Sequence, residues 1–164
     1  MSIAPHWEAQ IASAESLSAL GGTLAACVRE RTSAERFNVG RLDLSRYLFF
    51  DEYVAGHNVP GRKRGHERTL TGTVVEAAIA AGGGTYMGHA DRDVLTERFP
   101  NFGPVYDSGI RAMLAVTLVT EDVPFAALVL ASSLPEAYDD DTLSFVRSLG
   151  EAANPLIGRF LSRT

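Results

Sequence analysis

Cysteine, long apolar stretches and paired metal ligands are almost or wholly missing from this 164-residue sequence. The single cysteine, Cys27, excludes an intrachain disulfide, and a chain of this length needs none to stabilise a core. No apolar stretch approaches the ~18 residues of a membrane span, and residues 1–10 lack the basic and apolar regions of a signal peptide. We therefore expect one domain, residues 1–164, in the cytoplasm and without a membrane partner.

The motifs of several enzyme classes are also absent. The four histidines are not spaced as zinc ligands, either with one another or with cysteine, so we expect no metal site. The sequence contains no Gly-x-Ser-x-Gly nucleophile elbow and no phosphate-binding Gly-x-x-x-x-Gly-Lys-Ser/Thr loop. We therefore expect no catalytic residues and a protein that is not an enzyme.

Positive charge is in short supply, since the formal net charge is −5. A nucleic-acid backbone repels such a surface unless basic residues are concentrated on one face, so we expect no nucleic-acid partner. One basic cluster exists, consisting of Arg62, Lys63, Arg64, His66 and Arg68. Its short sequence, flanked by glycine and proline, predicts a solvated loop. The alternative is contact with an anion, either a ligand phosphate or a partner.

Hydrophobic periodicity predicts helices at both ends of the chain and strands between them. The predicted elements are a helix over residues 7–30, strands over 37–44 and 46–54, a short helix over 70–82, a strand over 85–88, a short helix over 91–99, strands over 110–119 and 123–132, and a helix over 139–161. Residues 57–68 and 101–109 are predicted loops. This order predicts an α+β fold with an antiparallel sheet.

Several local sequences between Leu70 and Leu161 resemble a known family. They are LTGTVVEAAIAAGG, then His89-Ala90-Asp91 after a short strand, the strand Gly109–Leu118, and the tail Leu134–Asp139 before an apolar helix. Together with the element order, they resemble the GAF domain family, although Ala112 and Thr117 stand where that pattern usually has Ser and Pro.

The resemblance implies a GAF/PAS-like central antiparallel sheet of five to six strands. Terminal helices would cover one face of the sheet, and short helices and loops would cover the other. Within the single domain, residues 1–36 would form the N-terminal helix and turn, 37–134 the sheet with its pocket-roofing helices, and 135–164 the C-terminal helix.

The resemblance also implies a small-ligand cavity between the sheet and the short helices. The expected ligand-binding residues are Tyr86, Met87, His89, Asp91, Phe99, Phe102, Tyr106, Arg111 and Met113. Arg111, at the start of a sheet strand, would bind a carboxylate or phosphate through two hydrogen bonds, which favours an anionic ligand. The alternative is a packed core in which Arg111 forms a salt bridge with Asp107 or Asp91.

GAF domains act as sensory or dimerising parts of signalling proteins, and the resemblance implies such a regulatory role in a bacterial protein. We expect an unidentified small molecule as ligand, a homodimer formed through the terminal helices, and an effector domain outside this chain. One alternative is a GAF-like dimerisation or interaction module that binds no ligand.

A haem-based sensor and an enzyme are the remaining alternatives. His89 would be the axial ligand of a haem, with His57 and His66 as substitutes. A covalently attached bilin is not expected, because no cysteine lies beside the predicted pocket. One branch of the fold reduces methionine sulfoxide through an intramolecular disulfide, which Cys27 alone cannot form.

Overall fold

A six-stranded sheet organises the structure, a computed structural model that describes residues 3–162. The strands are β1 (Arg36–Asp43), β2 (Leu48–Gly56), β3 (Glu67–Thr69), β4 (Gly84–Gly88), β5 (Ala112–Thr120) and β6 (Val123–Ser132). Their order across the sheet is β3-β2-β1-β6-β5-β4, and every neighbouring pair is antiparallel. The predicted α+β class and antiparallel sheet are therefore confirmed.

Helices cover both faces of this sheet. They are α1 (Pro5–Ala12), α2 (Leu17–Arg31), α3 (Val74–Ala80), α4 (Arg92–Arg98), α5 (Gly103–Asp107) and α6 (Asp140–Leu161), with a 3₁₀ turn at Pro100–Phe102. The terminal helices α1, α2 and α6 pack against one another and on one face, while α3 packs on β4, β5 and β6 from the other. This confirms the predicted division between terminal and short helices. None of the helices within residues 3–162 is both long and apolar enough to cross a membrane.

Alternation along the central strands gives the sheet two apolar faces. In β5, Leu114 and Val116 belong to the core under the terminal helices, while Met113 and Ala115 belong to the core under the short helices. Successive side chains of a strand point to opposite faces, so a strand buried on both sides contributes to two cores at once. The two cores are separated by one layer of backbone.

The N-terminal helical segment is broken where the sequence predicted one helix over residues 7–30. The side chain of Ser16 accepts a hydrogen bond from the backbone N–H of Ala19 at 3.0 Å and caps the start of α2. Gly21 lies inside α2 against Tyr53, where a Cβ would be 2.4 Å from the ring. This glycine therefore lets α2 approach the sheet closely.

A β-bulge in β2 decides which side chains reach each face. Val39 of β1 pairs with Tyr53 and Gly40 pairs with Asp51, which leaves Glu52 as the extra residue. Without the bulge, Asp51 and Tyr53 would share a face. With it, Tyr53 packs under the terminal helices, and Asp51 turns to the face under the short helices.

Two segments predicted as loops contain regular structure. Within residues 57–68, the chain enters β3 at Glu67 and pairs with β2 at the edge of the sheet. Within residues 101–109, the 3₁₀ turn and α5 follow one another, which places Phe102 and Val105 in the core. Phe102 was expected at the cavity, whereas the helical structure that buries Val105 depends on long-range packing that the Gly- and Pro-rich sequence does not reveal.

Candidate functional site

A small cavity lies between the sheet and the helical layer formed by α3, α4 and the 3₁₀ turn. It is lined by Phe49, Arg62, Arg68, Gly72, Thr73, Val74, Val75, Phe99, Asn101, Phe102, Met113 and Val129. The open space at its centre is about 20 Å³, which is room for one water molecule. Apolar walls with a few polar groups at one side are the usual composition of a small-ligand site.

Local structure explains how the aromatic wall forms. Phe49 comes from β2, and its ring lies directly over Gly40 of β1, where a Cβ would be 1.9 Å from Phe49 Cζ. Phe99 and Phe102 flank Pro100, whose ring starts the 3₁₀ turn after α4 has ended. Thr73 caps α3 by accepting a hydrogen bond from the N–H of Glu76 at 3.2 Å. Residues of β2, of the 3₁₀ turn and of the start of α3 therefore border the cavity.

Polar groups of the site centre on Asp51, whose side chain is fully buried. Arg68 Nη1 lies 2.5 Å from Asp51 Oδ2, and Asn38 Nδ2 donates to Asp51 Oδ1 at 3.0 Å. The Arg68 side chain is 19% exposed, and its guanidinium carbon lies 4.7 Å from the ring centre of Phe49. The carboxylate thus holds Arg68 against the aromatic wall of the cavity.

Two more arginines join this group. Arg36 is 6% exposed and donates to the carbonyl oxygens of His57, at 2.9 Å, and Arg62. Arg62 donates in turn to the carbonyl oxygen of Asn101 at 2.9 Å. The acceptors of Arg36 and Arg62 are neutral carbonyls, whereas Arg68 has a carboxylate.

This group, named here the arginine cluster (Arg36, Arg62, Arg68 and Asp51), contains three guanidiniums and one carboxylate. Burial, together with repulsion by Arg68 and Arg36, lowers the pKa of Arg62 to about 10, and Asp51 opposes this only in part. Burial also lowers the pKa of Arg36, again with Asp51 opposing and Arg68 contributing. With a pKa of about 10, Arg62 is still protonated at neutral pH, so its guanidinium keeps its positive charge beside the cavity.

The expectation of a solvated basic loop is wrong for two of its members. Lys63, Arg64 and His66 are exposed, but Arg62 and Arg68 turn inward and line the cavity. The missed signal lies in β2, where Asp51 follows Phe49 by two residues in a strand rich in aromatics. A charged residue on the inward face of a strand needs a buried partner, and the nearby arginines supply it.

The nine residues predicted to bind ligand do not form one cluster. Phe99, Phe102 and Met113 line the cavity, and Met87 lies in the same core without lining it. Tyr86 is on the opposite face, because adjacent strand residues alternate, and its hydroxyl donates to Asp140 at 2.8 Å.

The other four predicted residues lie at the outer end of the helical layer. His89 is exposed, and its Nδ1 accepts from the N–H of Asp91, which caps α4. Tyr106 donates to the carbonyl oxygen of Ala90 at 2.7 Å. Arg111 stacks 3.5 Å from the centre of the Tyr106 ring and donates to the carbonyl of Tyr106. Whether these residues contact a ligand stays a prediction.

The predicted alternative for Arg111, a salt bridge to Asp107 or Asp91, is not the arrangement seen. Asp107 is paired with Arg92 at 2.9 Å on the surface, while Asp91 is engaged in capping α4. Arg111 Nη1 instead donates to the carbonyl oxygens of Tyr106 and Ile110. It therefore acts locally to hold α5 against the start of β5.

The three histidines considered as haem ligands fit that role poorly. His57 Nε2 contacts the carbonyl oxygen of Ser108 at 2.7 Å, and the Nδ1 atoms of His66 and His89 accept backbone N–H groups. None of the three lines the cavity. Across residues 3–162, no three His, Cys, Asp or Glu side chains are grouped as a metal site.

Cys27 lies away from the cavity. It is fully buried on α2, in the core under the terminal helices. Burial is the main reason that the pKa of this thiol is raised to about 11, so little thiolate forms at neutral pH. A thiol in this position is separated from the cavity by the sheet.

Solved structures of GAF domains share this architecture. The GAF domain of an Acinetobacter phosphoenolpyruvate-protein phosphotransferase has a TM-score of 0.75 and 17% identity, over 96% of this chain and 91% of that one. The chromophore-binding domain of a bacteriophytochrome from R. palustris has a TM-score of 0.70 and 10% identity, over 96% of this chain and 60% of that one. This chain therefore has the GAF fold, as the sequence predicted.

An enzyme also shares the fold. A free methionine-R-sulfoxide reductase from Neisseria meningitidis, solved in complex with its substrate, has a TM-score of 0.66 and 21% identity, over 95% of this chain and 84% of that one. The same fold thus occurs in GAF domains and in an enzyme. It therefore gives no support to the expectation that this chain is not an enzyme. No family model and no curated protein matches the sequence.

Proposed function

We propose that this chain is a regulatory domain of a signalling protein that binds a small molecule in the cavity beside the arginine cluster. The observation that carries the proposal is an apolar cavity with two inward-turned arginines, on the sheet face opposite the terminal helices. Related folds occur in a phosphotransferase GAF domain and in a chromophore-binding domain, and both lend support to a regulatory role.

The sheet provides a physical route from the cavity to the terminal helices. Met113 and Val129 line the cavity, and their strand neighbours Leu114 and Leu128 pack under α6 and α2. A ligand that displaces one face of these strands must shift packing on the other, because closely packed cores transmit displacement. In this proposal, α6 passes the change to an effector outside the chain.

Dimerisation through the terminal helices belongs to the same proposal. Val146, Leu149 and Ala153 of α6 are fully buried within one chain. Leu143 and Leu156 are the partly exposed apolar residues along that helix. A homodimer formed through α6 would therefore use these partly exposed residues.

A role without catalysis is also part of the proposal. A free methionine-R-sulfoxide reductase shares this fold, but the sole cysteine of this chain is buried on the side of the sheet opposite the cavity. A buried thiol with a raised pKa is a poor nucleophile and cannot reach a ligand in the cavity. A reducing cytoplasm, where such a thiol persists, is the proposed location.

A ligand-free interaction module is the second candidate, and the size of the cavity favours it. About 20 Å³ of open space holds a water molecule but no organic ligand unless the lining side chains move. The two candidates therefore differ in whether Arg62, Arg68 and the phenylalanines can open around a guest.

A ligand screen with a matched pair of variants separates the candidates. Small organic molecules would be tested by ligand-observed NMR against the wild type and against Val129→Ile, which adds one methyl group to the cavity wall. Val123→Ile is the control, because Val123 lies on the same strand and is 56% exposed. A ligand of the cavity should bind at least about tenfold more weakly to Val129→Ile, since overpacking of about 1.4 kcal/mol corresponds to that factor.

The outcomes point in opposite directions. Binders that Val129→Ile weakens and Val123→Ile leaves unchanged support a sensory domain. A screen that yields no binder, or binders affected equally by both variants, overturns the cavity as a ligand site and favours the ligand-free module.

A further inference from the structure

The arginine cluster holds more positive charge than its own carboxylate balances. Arg36, Arg62 and Arg68 surround Asp51, and Asp51 is already hydrogen bonded to Arg68 and Asn38. Removing charge from water is costly unless an opposite charge lies nearby. The guanidiniums of Arg36 and Arg62 therefore donate to carbonyl oxygens, although an anion would accept these hydrogen bonds more strongly.

The same arginines lie between the cavity and the solvent. Arg62 and Arg68 line the inner cavity and also an outer groove of about 270 Å³. The groove is bordered by Pro60, Pro100 and Pro104, and no acidic residue lines either space. An anion that enters the groove meets two guanidiniums before any competing carboxylate.

The walls behind the arginines decide what the anion is attached to. Phe49, Phe99 and Phe102 face the interior of the cavity and are each at most 4% exposed. These rings offer contact area and no hydrogen bonds, which suits an apolar group. A free inorganic anion would use the arginines but leave the aromatic wall without a partner.

We propose that Arg62 and Arg68 bind the carboxylate of a small organic acid whose apolar part inserts between Phe49, Phe99 and Phe102. This inference rests on the proposed function and names the chemistry of its ligand. The carboxylate replaces the carbonyl contact of Arg62 with a charge-assisted one and lies beside Arg68, which keeps its bond to Asp51. The apolar part widens the small cavity by displacing the side chains at its mouth. Arg62 is the side chain expected to move, because its bond to Asn101 in the 3₁₀ turn is to a neutral carbonyl oxygen.

The test uses acids and their uncharged analogues as probes on the whole chain. Binding of benzoate and hexanoate would be compared with benzamide, hexanamide and inorganic phosphate by calorimetry at constant ionic strength. We expect the two acids to bind at least about tenfold more tightly than their amides. Arg62→Gln should weaken acid binding at least about tenfold, and Arg62→Lys should weaken it less because it retains the charge.

Arg64→Gln is the matched control. Arg64 lies two positions along the same loop and is exposed, so its loss should change acid binding less than about twofold. Circular dichroism and thermal unfolding of the ligand-free variants establish that Arg62→Gln remains folded. If it does not, the comparison of Arg62→Lys with Arg64→Gln carries the same test.

Each result decides the inference. Amides that bind as tightly as acids, or acids unaffected by Arg62→Gln, overturn it while leaving the cavity as a ligand site. Phosphate that binds as tightly as the acids, in a manner dependent on Arg62, overturns the assignment to an organic acid. Absence of acid binding overturns the inference as well, whereas the sensory role fails only if the broader screen of neutral molecules is also empty.

Discussion

Replacing Asp51 by asparagine should destabilise this fold far more than the small change in side-chain size suggests. Asp51 is the only carboxylate within the arginine cluster, and its side chain has no exposed surface. Asparagine keeps the shape and one acceptor, so the substitution removes little more than the negative charge. Arg36, Arg62 and Arg68 would then be left together without a counter-charge.

The expected magnitude follows from the burial of this pair. Removing one partner of a buried ion pair costs about 3–5 kcal/mol, because the remaining charge stays buried without compensation. We expect the lower end, about 3 kcal/mol, since the amide oxygen still accepts a hydrogen bond from Arg68 or Asn38. Against a total stability of about 5–15 kcal/mol, this is a large fraction.

Urea denaturation followed by circular dichroism measures the effect. With a dependence of stability on urea of about 2 kcal/mol per molar, the loss corresponds to a midpoint lower by about 1.5 M. Asp107→Asn is the matched control, because it breaks the Asp107–Arg92 pair, in which the side chains are 62% and 46% exposed. That variant should unfold close to the wild-type midpoint.

Two results would refute the reasoning. One is an Asp51→Asn midpoint that lies as close to the wild type as that of Asp107→Asn, which would mean that the cluster is not short of negative charge. The other is equal stabilisation of Asp51→Asn and wild type by added phosphate. An uncompensated cluster binds anions more strongly in its folded state, so phosphate should raise the midpoint of Asp51→Asn more.

Three further predictions concern packing, a helix cap and the thiol. Gly40→Ala should destabilise the fold by about 1–3 kcal/mol, because its Cβ would overlap Phe49. Gly22→Ala has room within α2 and should stabilise by up to about 1 kcal/mol, so urea midpoints in the opposite order would contradict this packing. Hydrogen bonds from the backbone and a hydroxyl in the first turn of α6 lower the pKa of Asp139. Its stabilisation is thus present above the ordinary value of 3.8 and is lost as pH falls through the lowered pKa. Asp139→Ala should therefore lower the urea midpoint at neutral pH, with a deficit that shrinks in acid, and a deficit constant from pH 6 to about pH 2 would be inconsistent with this cap. Cys27 is buried, which raises the pKa of its thiol to about 11, so it should react with Ellman's reagent at pH 8 only after unfolding. Rapid labelling of the native protein, or reduction of free methionine sulfoxide by it with dithiothreitol as reductant, would reopen a catalytic role.

Local patterns in the sequence determined the strands and most of the caps. Alternation in β5 places Leu114 and Met113 on opposite faces of the sheet. Thr73 and Asp91, residue types favoured at helix N-caps, cap α3 and α4. These features depend on neighbours within a few residues, so the order of residue types along the chain is sufficient to specify them.

The cavity was only partly visible in the sequence. Phe99, Phe102 and Met113 line it, whereas their predicted contact with a ligand stays a prediction. Tyr86 was assigned to the same site as Met87, although alternation within β4 sends it to the opposite face. Alternation along β4 thus predicts the position of Tyr86, whereas the resemblance to the GAF family does not.

Tertiary structure alone decided the polar half of the site. A basic, glycine-rich stretch is usually solvated, and nothing within it indicates that Arg62 and Arg68 turn inward. The position of Arg68 depends on Asp51, which shares its face with Phe49 by alternation, whereas the bulge at Glu52 sends Tyr53 to the opposite face. The position of Arg62 depends on the carbonyl of Asn101, 39 residues farther along the chain. Charge pairing over such separations is set by the folded sheet and its helical cover, so no local pattern encodes it.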